Sequence, residues 1–168
     1  MIPPNSTSGT EEPNPPPALP SEGRLLGIDY GTVRVGIAIS DPSQTIASPL
    51  ETYTRRSGKL DANYFVDLVK HEKIVGLVVG LPVHMSGDES EKSREAVEFG
   101  KWLKQSTDRP VIWVDERYTT SMAREMLSHS TLSGKKRKAQ LDKLAAQILL
   151  ATYLESGAEA DIQDLNQD

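Results

Sequence analysis

Three carboxylates occupy positions where an unpaired acid is unfavourable. Asp29 ends one apolar segment, and Glu116 follows another at the end of a predicted strand, where open α/β sheets bind their ligands. On a helical wheel, Asp142 falls within the apolar arc, between Leu149 and Tyr153. An acid that faces a packed surface needs a positive group to neutralise it. Converging carboxylates would suit Mg²⁺ or Mn²⁺, which are hard cations that favour oxygen ligands.

Each acid also has a structural explanation. Asp29 could end its strand by accepting hydrogen bonds from turn amides. Glu116 could pair with Arg117 or cap a helix that starts at Thr119. Asp142 could be a first-turn acid that the helix dipole stabilises. These explanations must all hold at once, whereas one shared site accounts for the three acids together.

Basic residues favour a phosphate substrate. A dense run follows Gly134, in a predicted loop that leads into the helix bearing Asp142, and it consists of Lys135, Lys136, Arg137 and Lys138. A charge run alone is usually a solvated segment, but this one would bring cations to the mouth of the acid cluster. It has no interleaved aromatic residues, so it does not predict stacking on single-stranded bases. Further basic residues are Arg34, Arg55, Arg56 and Arg117.

Composition divides the 168 residues into three parts. Residues 1–23 hold seven of the 11 prolines, three acids and no base, which predicts a disordered tail. Residues 155–168 hold five acids and no base, which predicts a flexible acidic tail. Residues 24–154 hold all 19 basic residues and 16 of the 24 acidic ones, so this core carries a net charge of +3 within a chain of −5. A slightly basic core can bind a polyanion.

The same composition excludes several classes of protein. The absence of cysteine excludes disulfide scaffolds, cysteine-ligated zinc and thiol catalysis, and it is compatible with a reducing cytosol. No apolar run approaches the roughly 18 residues that a membrane span needs. We therefore expect a cytoplasmic protein without a membrane partner, whose core is a single domain.

Hydrophobic patterning predicts an α/β domain that begins with an antiparallel hairpin. Later apolar runs bounded by glycine and proline are typical of parallel strands joined by helical crossovers. The predicted order is β-β-β-α-β-α-β-α-α. The predicted strands are 24–29, 33–40, 45–53, 74–79 and 111–114, and the predicted helices are 61–72, 91–104, 119–127 and 138–154.

Four segments in order resemble the motifs of the YqgF family, bacterial RNase H-like proteins also described as candidate pre-16S rRNA nucleases or as Holliday-junction-resolvase-like proteins. The segments are GIDYGTVRVGIA at 27–38, VGLP at 79–82 with SG at 86–87, VDERYTT at 114–120, and KKRK at 135–138 with DKLAA at 142–146. One such segment would be weak evidence, because actin-like ATPases have similar phosphate loops. The resemblance covers residues 24–154.

This resemblance implies an RNase H-like fold, with a five-stranded mixed sheet flanked by helices, and a metal-dependent phosphodiesterase. The acidic triad of the family falls on Asp29, Glu116 and Asp142, with Mg²⁺ or Mn²⁺ as the cofactor. It implies two-metal hydrolysis in which Asp29 bridges both ions. The substrate-binding roles would fall on Thr32, Arg34, Arg117 and the basic run, Lys135, Lys136, Arg137 and Lys138.

The sequence leaves more than one function open. We expect a nuclease that trims pre-16S rRNA near its 5′ end during ribosome biogenesis, and the alternative is a Holliday junction resolvase acting on structured DNA. Both need the same acids, but a resolvase also needs a two-fold dimer, and the sequence leaves monomer and homodimer open. A non-catalytic nucleic-acid-binding module is a third function. The core is too short for the two domains of an actin-like ATPase.

Overall fold

The computed structural model describes residues 19–82, 91–117 and 119–156. Within these ranges, five strands and four helices follow one another in the predicted order. The strands are β1 (Arg24–Asp29), β2 (Arg34–Ser40), β3 (Ala47–Thr54), β4 (Ile74–Leu81) and β5 (Val111–Asp115). The helices are α1 (Gly58–His71), α2 (Glu91–Thr107), α3 (Thr119–Met126) and α4 (Gly134–Ser156).

The strands form one mixed sheet in the order β3-β2-β1-β4-β5. Strand β2 runs antiparallel to β1 and β3, whereas β4 runs parallel to both β1 and β5. Strands β1, β3, β4 and β5 therefore end at the same edge of the sheet, which we call the carboxyl edge. The central strand β1 is buried over residues 25–28, as its continuous apolar run predicts. The prediction of an α/β fold with a five-stranded mixed sheet is confirmed.

Helices cover both faces of this sheet. The larger buried cluster lies on the face covered by α1 and α2 and includes Leu26, Phe65 and Phe99. The second cluster lies on the face covered by α4 and includes Leu25 and Leu149. Burial of each such side chain stabilises the fold by about 1.5–3 kcal/mol. Helix α3 packs on α4.

Helix α4 lies close to the backbone of the sheet. A side chain at Gly36 would collide with the backbone carbonyl of Asp142, so glycine at this position lets the helix rest directly on β2. The hydroxyl of Thr52 in β3 donates to the carbonyl oxygen of Ala139 at 2.5 Å and holds the start of α4 over the sheet. Gly36 pairs with Asp29 across the β1–β2 ladder. The contact at Gly36 therefore brings Asp142 beside the end of β1.

The basic run lies in a helix, and the prediction of a loop at this position was wrong. Helix α4 begins at Gly134, so residues 135–138 form its first turn. Four cations at a helix N-terminus oppose the helix dipole, and they show no apolar periodicity, so the local sequence does not favour a helix there. The buried face of the later turns anchors α4, and the helix extends backwards from it because propagation needs less free energy than nucleation.

The packed part of the chain includes residues that composition assigned to the N-terminal tail, 1–23. Leu19 is buried and lies against Gly76 and Leu25. The side-chain amide of Gln44 donates to the carbonyl oxygens of Pro20 and Gly23, both at 2.9 Å. Helix α4 ends at Ser156, within the segment 155–168 predicted as the acidic tail. The other residues of the two predicted tails, 1–18 and 157–168, lie outside the described residues.

Within the described ranges, no helix is both long enough and apolar enough to cross a membrane.

Candidate active site

Asp29 and Glu116 meet at the carboxyl edge of the sheet. Asp29 is the last residue of β1, Glu116 follows β5, and their side chains hydrogen-bond to each other. Strand β4 separates β1 from β5, and a side chain at Gly80 in β4 would overlap the carboxyl group of Glu116. Glycine at position 80 therefore lets Glu116 reach across β4. The backbone amide of Glu116 donates to the carbonyl oxygen of Leu81 at 3.2 Å, which holds it at this edge.

Burial raises the pKa of both acids, that of Asp29 to about 6 and that of Glu116 to about 9. The hydrogen bond from Glu116 lowers the pKa of Asp29, whereas the negative charge of Asp142 raises it. The charge of Asp29 raises the pKa of Glu116 further. At neutral pH the pair therefore shares one proton. A divalent cation could replace this proton.

Asp142 forms an ion pair with Arg34. The two side chains are 20% and 35% exposed, and Arg34 Nε lies 2.7 Å from Asp142 Oδ2. The helical wheel predicted that Asp142 faces a packed surface and needs a positive partner, and this prediction is confirmed. The partner is itself a residue for which we expected a phosphate-binding role. The structure thus joins an expected metal ligand to an expected substrate contact.

Among the described residues, the structure shows neither of the two structural contacts considered for Glu116. Arg117 pairs with Asp115, since its Nη2 lies 3.7 Å from Asp115 Oδ2 and its backbone amide donates to Asp115 Oδ1 at 2.8 Å. The amide of Thr119, at the start of α3, donates to the backbone carbonyl of Glu116 at 2.9 Å and not to its carboxyl group. Thr32 lies exposed in the turn between β1 and β2.

The first turn of α4 presents three of its four cations to solvent. Lys135, Lys136 and Lys138 are exposed. Arg137 is half-buried, and its Nη1 donates to the carbonyl oxygen of Leu127 at 3.2 Å, just after α3. Arg137 therefore holds α4 against the end of α3, whereas the three lysines are available to a ligand.

The sequence analysis missed one cation at this edge. Lys92 lies in the first turn of α2, and its charge acts to lower the pKa of Glu116. The hydroxyl of Ser93 donates to the carbonyl oxygen of Pro82, which anchors this turn beside the end of β4. No local pattern signals the proximity of Lys92 and Glu116, because it depends on where α2 begins relative to β4.

Comparison with known proteins places the chain in a family. The family model RuvX, described as "Holliday junction resolvase", matches residues 23–156. The chain belongs to the RuvX family. A relative from Rhodopirellula baltica, described as "Putative pre-16S rRNA nuclease", is 44% identical to this RuvX-family chain over 153 residues, 91% of this chain and 86% of the relative. A relative from Koribacter versatilis with the same description is 38% identical over 133 residues, 79% of this chain and 87% of the relative.

A solved structure shares the fold of this RuvX-family chain. The structure of T. thermophilus RuvC in complex with a Holliday junction substrate matches with a TM-score of 0.53 and 14% identity, and the match covers 83% of this chain and 98% of that one. At this identity the likeness concerns the fold alone. The expected RNase H-like fold and the resemblance to the YqgF family are both confirmed. The expectation that the chain belongs to a family of nucleases is also confirmed.

The acids of this RuvX-family chain fit a divalent metal by their chemistry. Their donors are all carboxylate oxygens, and the Asp29–Glu116 pair retains a proton that a cation could displace. Within residues 19–82, 91–117 and 119–156, no group of three or more metal-ligating side chains is assembled, and Arg34 holds Asp142. Two of the three expected ligands, Asp29 and Glu116, are therefore already in contact. The third, Asp142, would have to exchange Arg34 for the metal ion.

Proposed function

We propose that this protein is a metal-dependent nuclease that hydrolyses phosphodiester bonds of structured RNA, with the 5′ region of pre-16S rRNA as its substrate in the cytoplasm. Asp29, Glu116 and Asp142 act as the catalytic residues and as ligands of Mg²⁺ or Mn²⁺. The description that the two relatives share supports the choice of substrate.

The half-buried Asp29–Glu116 pair carries this proposal. A carboxyl pair that serves only stability is commonly neutralised by a basic side chain, whereas this pair retains a proton and both pKa values are raised. Acids with raised pKa values at the carboxyl end of a sheet are typical of functional sites. The charge of Asp142 acts on Asp29, so the third acid lies close enough to take part.

In this proposal the residues have two roles, which are to neutralise charge and to position the substrate phosphate. A bound ion would neutralise charge on the phosphate and lower the pKa of an attacking water. To hold a cation, the Asp29–Glu116 pair would have to release its shared proton to solvent. Asp29 interacts with both Glu116 and Asp142, which supports its role as the central ligand. If Asp142 held the ion, Arg34 would be released from Asp142, and its planar guanidinium could pair with a substrate phosphate.

Further contacts to the substrate come from groups on the same side of the sheet. They would be made by Thr32, Arg34 and Arg117 at the site and by Lys135, Lys136 and Lys138 in α4, whereas Arg137, which the sequence analysis included among the contacts, holds α4 against the end of α3. Contacts to phosphates position a nucleic acid but do not read its sequence. The protein would therefore recognise the shape of a folded RNA more than its bases.

A cleavage assay tests this function. Purified protein is incubated with an RNA hairpin carrying the 16S 5′ leader and with a four-way DNA junction, in Mg²⁺, Mn²⁺ or EDTA. We expect cleavage of the RNA with either ion and none in EDTA or with Asp29→Asn. The matched control is Asp67→Asn, because Asp67 is an exposed acid of α1 outside the site. Cleavage that persists in EDTA would contradict the metal dependence.

Junction resolution is the second candidate function, and the description of the matching family favours it. A resolvase cuts two strands symmetrically and would be a homodimer carrying two acid pairs. Cleavage of the DNA junction but not of the RNA hairpin, together with a dimer in light scattering, would favour this function. Binding without cleavage of either substrate, unaffected by Asp29→Asn, would leave a non-catalytic binding module.

A further inference from the structure

A cavity of about 400 Å³ lies between β3 and the start of α1, beyond the acids of the candidate active site. Its lining includes Glu51, Tyr53, Arg56, Leu60 and Tyr64. A cavity of this size suits a small organic ligand such as a nucleotide. It combines aromatic rings with one carboxylate and one guanidinium. Aromatic rings can stack on a base, a carboxylate can accept hydrogen bonds from the base, and a guanidinium can pair with the phosphate.

The aromatic wall of the cavity is held rigidly. The rings of Tyr53 and Tyr64 stack with their centroids 3.9 Å apart and their planes at 14°. Phe65 contacts both rings edge-on, at 5.8 Å from Tyr53 and 5.1 Å from Tyr64. The hydroxyl of Tyr53 donates to Asp61 Oδ1 at 2.7 Å. A planar base could extend this preformed stack without the loss of side-chain entropy that ordering a mobile ring requires.

The polar groups of the cavity are also fixed by named contacts. The hydroxyl of Tyr64 donates to Glu51 Oε2 at 2.5 Å, and burial together with this contact raises the pKa of Tyr64 above its ordinary value. The backbone amide of Arg56 donates to Asp61 Oδ1 at 2.9 Å, while the side chain of Arg56 is exposed. Asp61 is only 2% exposed. This buried acid therefore fixes the segment that presents Arg56 to the cavity.

The cavity lies near the acid pair in the register of the sheet. Thr52, which also lines the cavity, pairs with Gly36, and Gly36 pairs with Asp29. Two strand spacings separate Thr52 from Asp29, a distance of about 10 Å. Thr52 contacts Ala139 of α4, so Asp29 and the exposed lysines lie on the α4 face of the sheet, whereas Tyr53 and Tyr64 belong to the cluster on the α1 face. Because β3 is an edge strand, a nucleic acid bound at the acid pair could reach the cavity by passing around this edge with a short run of unpaired nucleotides.

We propose that this cavity binds one unpaired nucleotide of the substrate, with a base that carries an exocyclic amine. The base stacks on Tyr64, the amine donates to Glu51, and the phosphate pairs with Arg56. A carboxylate accepts hydrogen bonds from the amine of cytosine but repels the O4 carbonyl of uracil, so the cavity favours cytosine over uracil. This inference rests on the proposed nuclease function for its biological substrate, but it makes its own prediction about binding.

Titration of the full chain with mononucleotides tests the cavity without any cleavage. Cytidine monophosphate, uridine monophosphate and the nucleoside cytidine are added separately, and binding is followed by NMR shifts of residues 51–56 and 64. We expect cytidine monophosphate to bind at least about threefold more tightly than uridine monophosphate. Shifts that spread over the surface without concentrating at these residues, or equal affinities for the two nucleotides, would overturn the proposal.

Variants separate the three contacts. Tyr64→Ala should weaken cytidine monophosphate binding roughly tenfold, whereas Tyr64→Phe, which keeps the ring, should retain most of it. Glu51→Gln should remove the preference for cytosine over uracil. Arg56→Ala should weaken binding of the nucleotide but not of cytidine, and Arg94→Ala, at an exposed arginine of α2, is the matched control. A preference that survives Glu51→Gln would overturn the role of the carboxylate, even if Tyr64→Ala does not fold.

The two proposals can fail separately. If the protein cleaves RNA in Mg²⁺ but Tyr64→Ala leaves the KM for a substrate with unpaired nucleotides unchanged, the cavity proposal fails and the nuclease function stands. If no nucleic acid is cleaved but cytidine monophosphate still binds at residues 51–56, the cavity proposal stands without the nuclease function. If Tyr64→Ala raises KM without changing kcat, and does so only for substrates with unpaired nucleotides, both proposals are supported.

Discussion

Arg34 and Asp142 form an ion pair between residues 108 positions apart, with Arg34 Nε 2.7 Å from Asp142 Oδ2. This ion pair holds the third acid of the candidate site, which lies close to the proton shared by Asp29 and Glu116. Each of the three acids is thus neutralised in part by a group that a divalent cation could replace. Metal binding should therefore change the partners of these residues more than the fold around them.

Replacing the arginine tests this exchange. Arg34→Gln should lower the free energy of unfolding in EDTA by about 1 kcal/mol, because Asp142 loses the partner of a partly exposed ion pair. In saturating Mn²⁺ the difference from the parent should shrink, since the ion neutralises Asp142 in both proteins. Thermal denaturation in the two conditions measures this. The control is Arg117→Gln, which breaks a more exposed ion pair and should change neither midpoint. A loss of stability in Arg34→Gln that is equal in EDTA and in Mn²⁺ would contradict the exchange.

Removing one charge from the acid pair should stabilise the metal-free protein while abolishing chemistry. Asp29→Asn should lower the cleavage rate at least about a hundredfold and leave the melting temperature in EDTA equal to or above that of the parent, because like charges repel in a buried site. Mn²⁺ should raise the midpoint of the parent more than that of the variant. A purely structural Asp29 would instead predict a loss of about 1–3 kcal/mol and no effect of metal on either protein.

The raised pKa values predict how stability depends on pH. Glu116 has a pKa of about 9 in the folded protein, above its ordinary value, so the folded state binds more protons than the unfolded state. Stability in EDTA should therefore be highest near pH 5, fall as the pH rises and level off above about pH 9. Each unit of pKa difference corresponds to about 1.4 kcal/mol, which sets an upper bound on the fall. Chemical denaturation between pH 5 and 9 measures it, and Glu116→Gln should flatten the curve.

The first turn of α4 should divide into binding and packing residues. Lys135→Ala, Lys136→Ala and Lys138→Ala together should weaken RNA binding and flatten its salt dependence by up to about 0.7 per contact for single strands and 0.9 for duplex. Arg137→Ala should mainly lower stability, because its guanidinium holds the carbonyl of Leu127. Binding titrations at several salt concentrations measure the slope. A triple variant with the parental slope would leave the lysines as a merely solvated turn.

Leu19 should contribute to the core although it precedes the first strand. Leu19→Ala should lower the free energy of unfolding by about 2 kcal/mol, because it leaves a cavity beside Gly76 and Leu25. Leu60→Ala is the matched control, since Leu60 is 48% exposed and its truncation should change stability by no more than about 0.5 kcal/mol. Urea denaturation of the three proteins compares them. Equal effects of the two substitutions would mean that the Leu19 contact does not persist in solution.

Much of the fold could be predicted because its signals are local. The bounds predicted for the first strand, 24–29, are those of β1, since an apolar run and the residues that end it determine a buried strand. The carboxylates at the ends of β1 and β5 could be recognised because an acid beside such a run stands out. The apolar arc that contains Asp142 could also be predicted, because the helical period determines which residues close in sequence share a face of the helix.

Only the tertiary structure decided which of these residues touch. The Asp29–Glu116 and Arg34–Asp142 contacts depend on how closely the backbones approach, and glycine at positions 80 and 36 permits that approach across elements far apart in sequence. The same holds for Leu19 and for the basic turn of α4, where packing elsewhere overrides weak local preferences. Local patterns thus determined the elements and their chemistry, whereas the distances between segments were decided by packing, which no local period encodes.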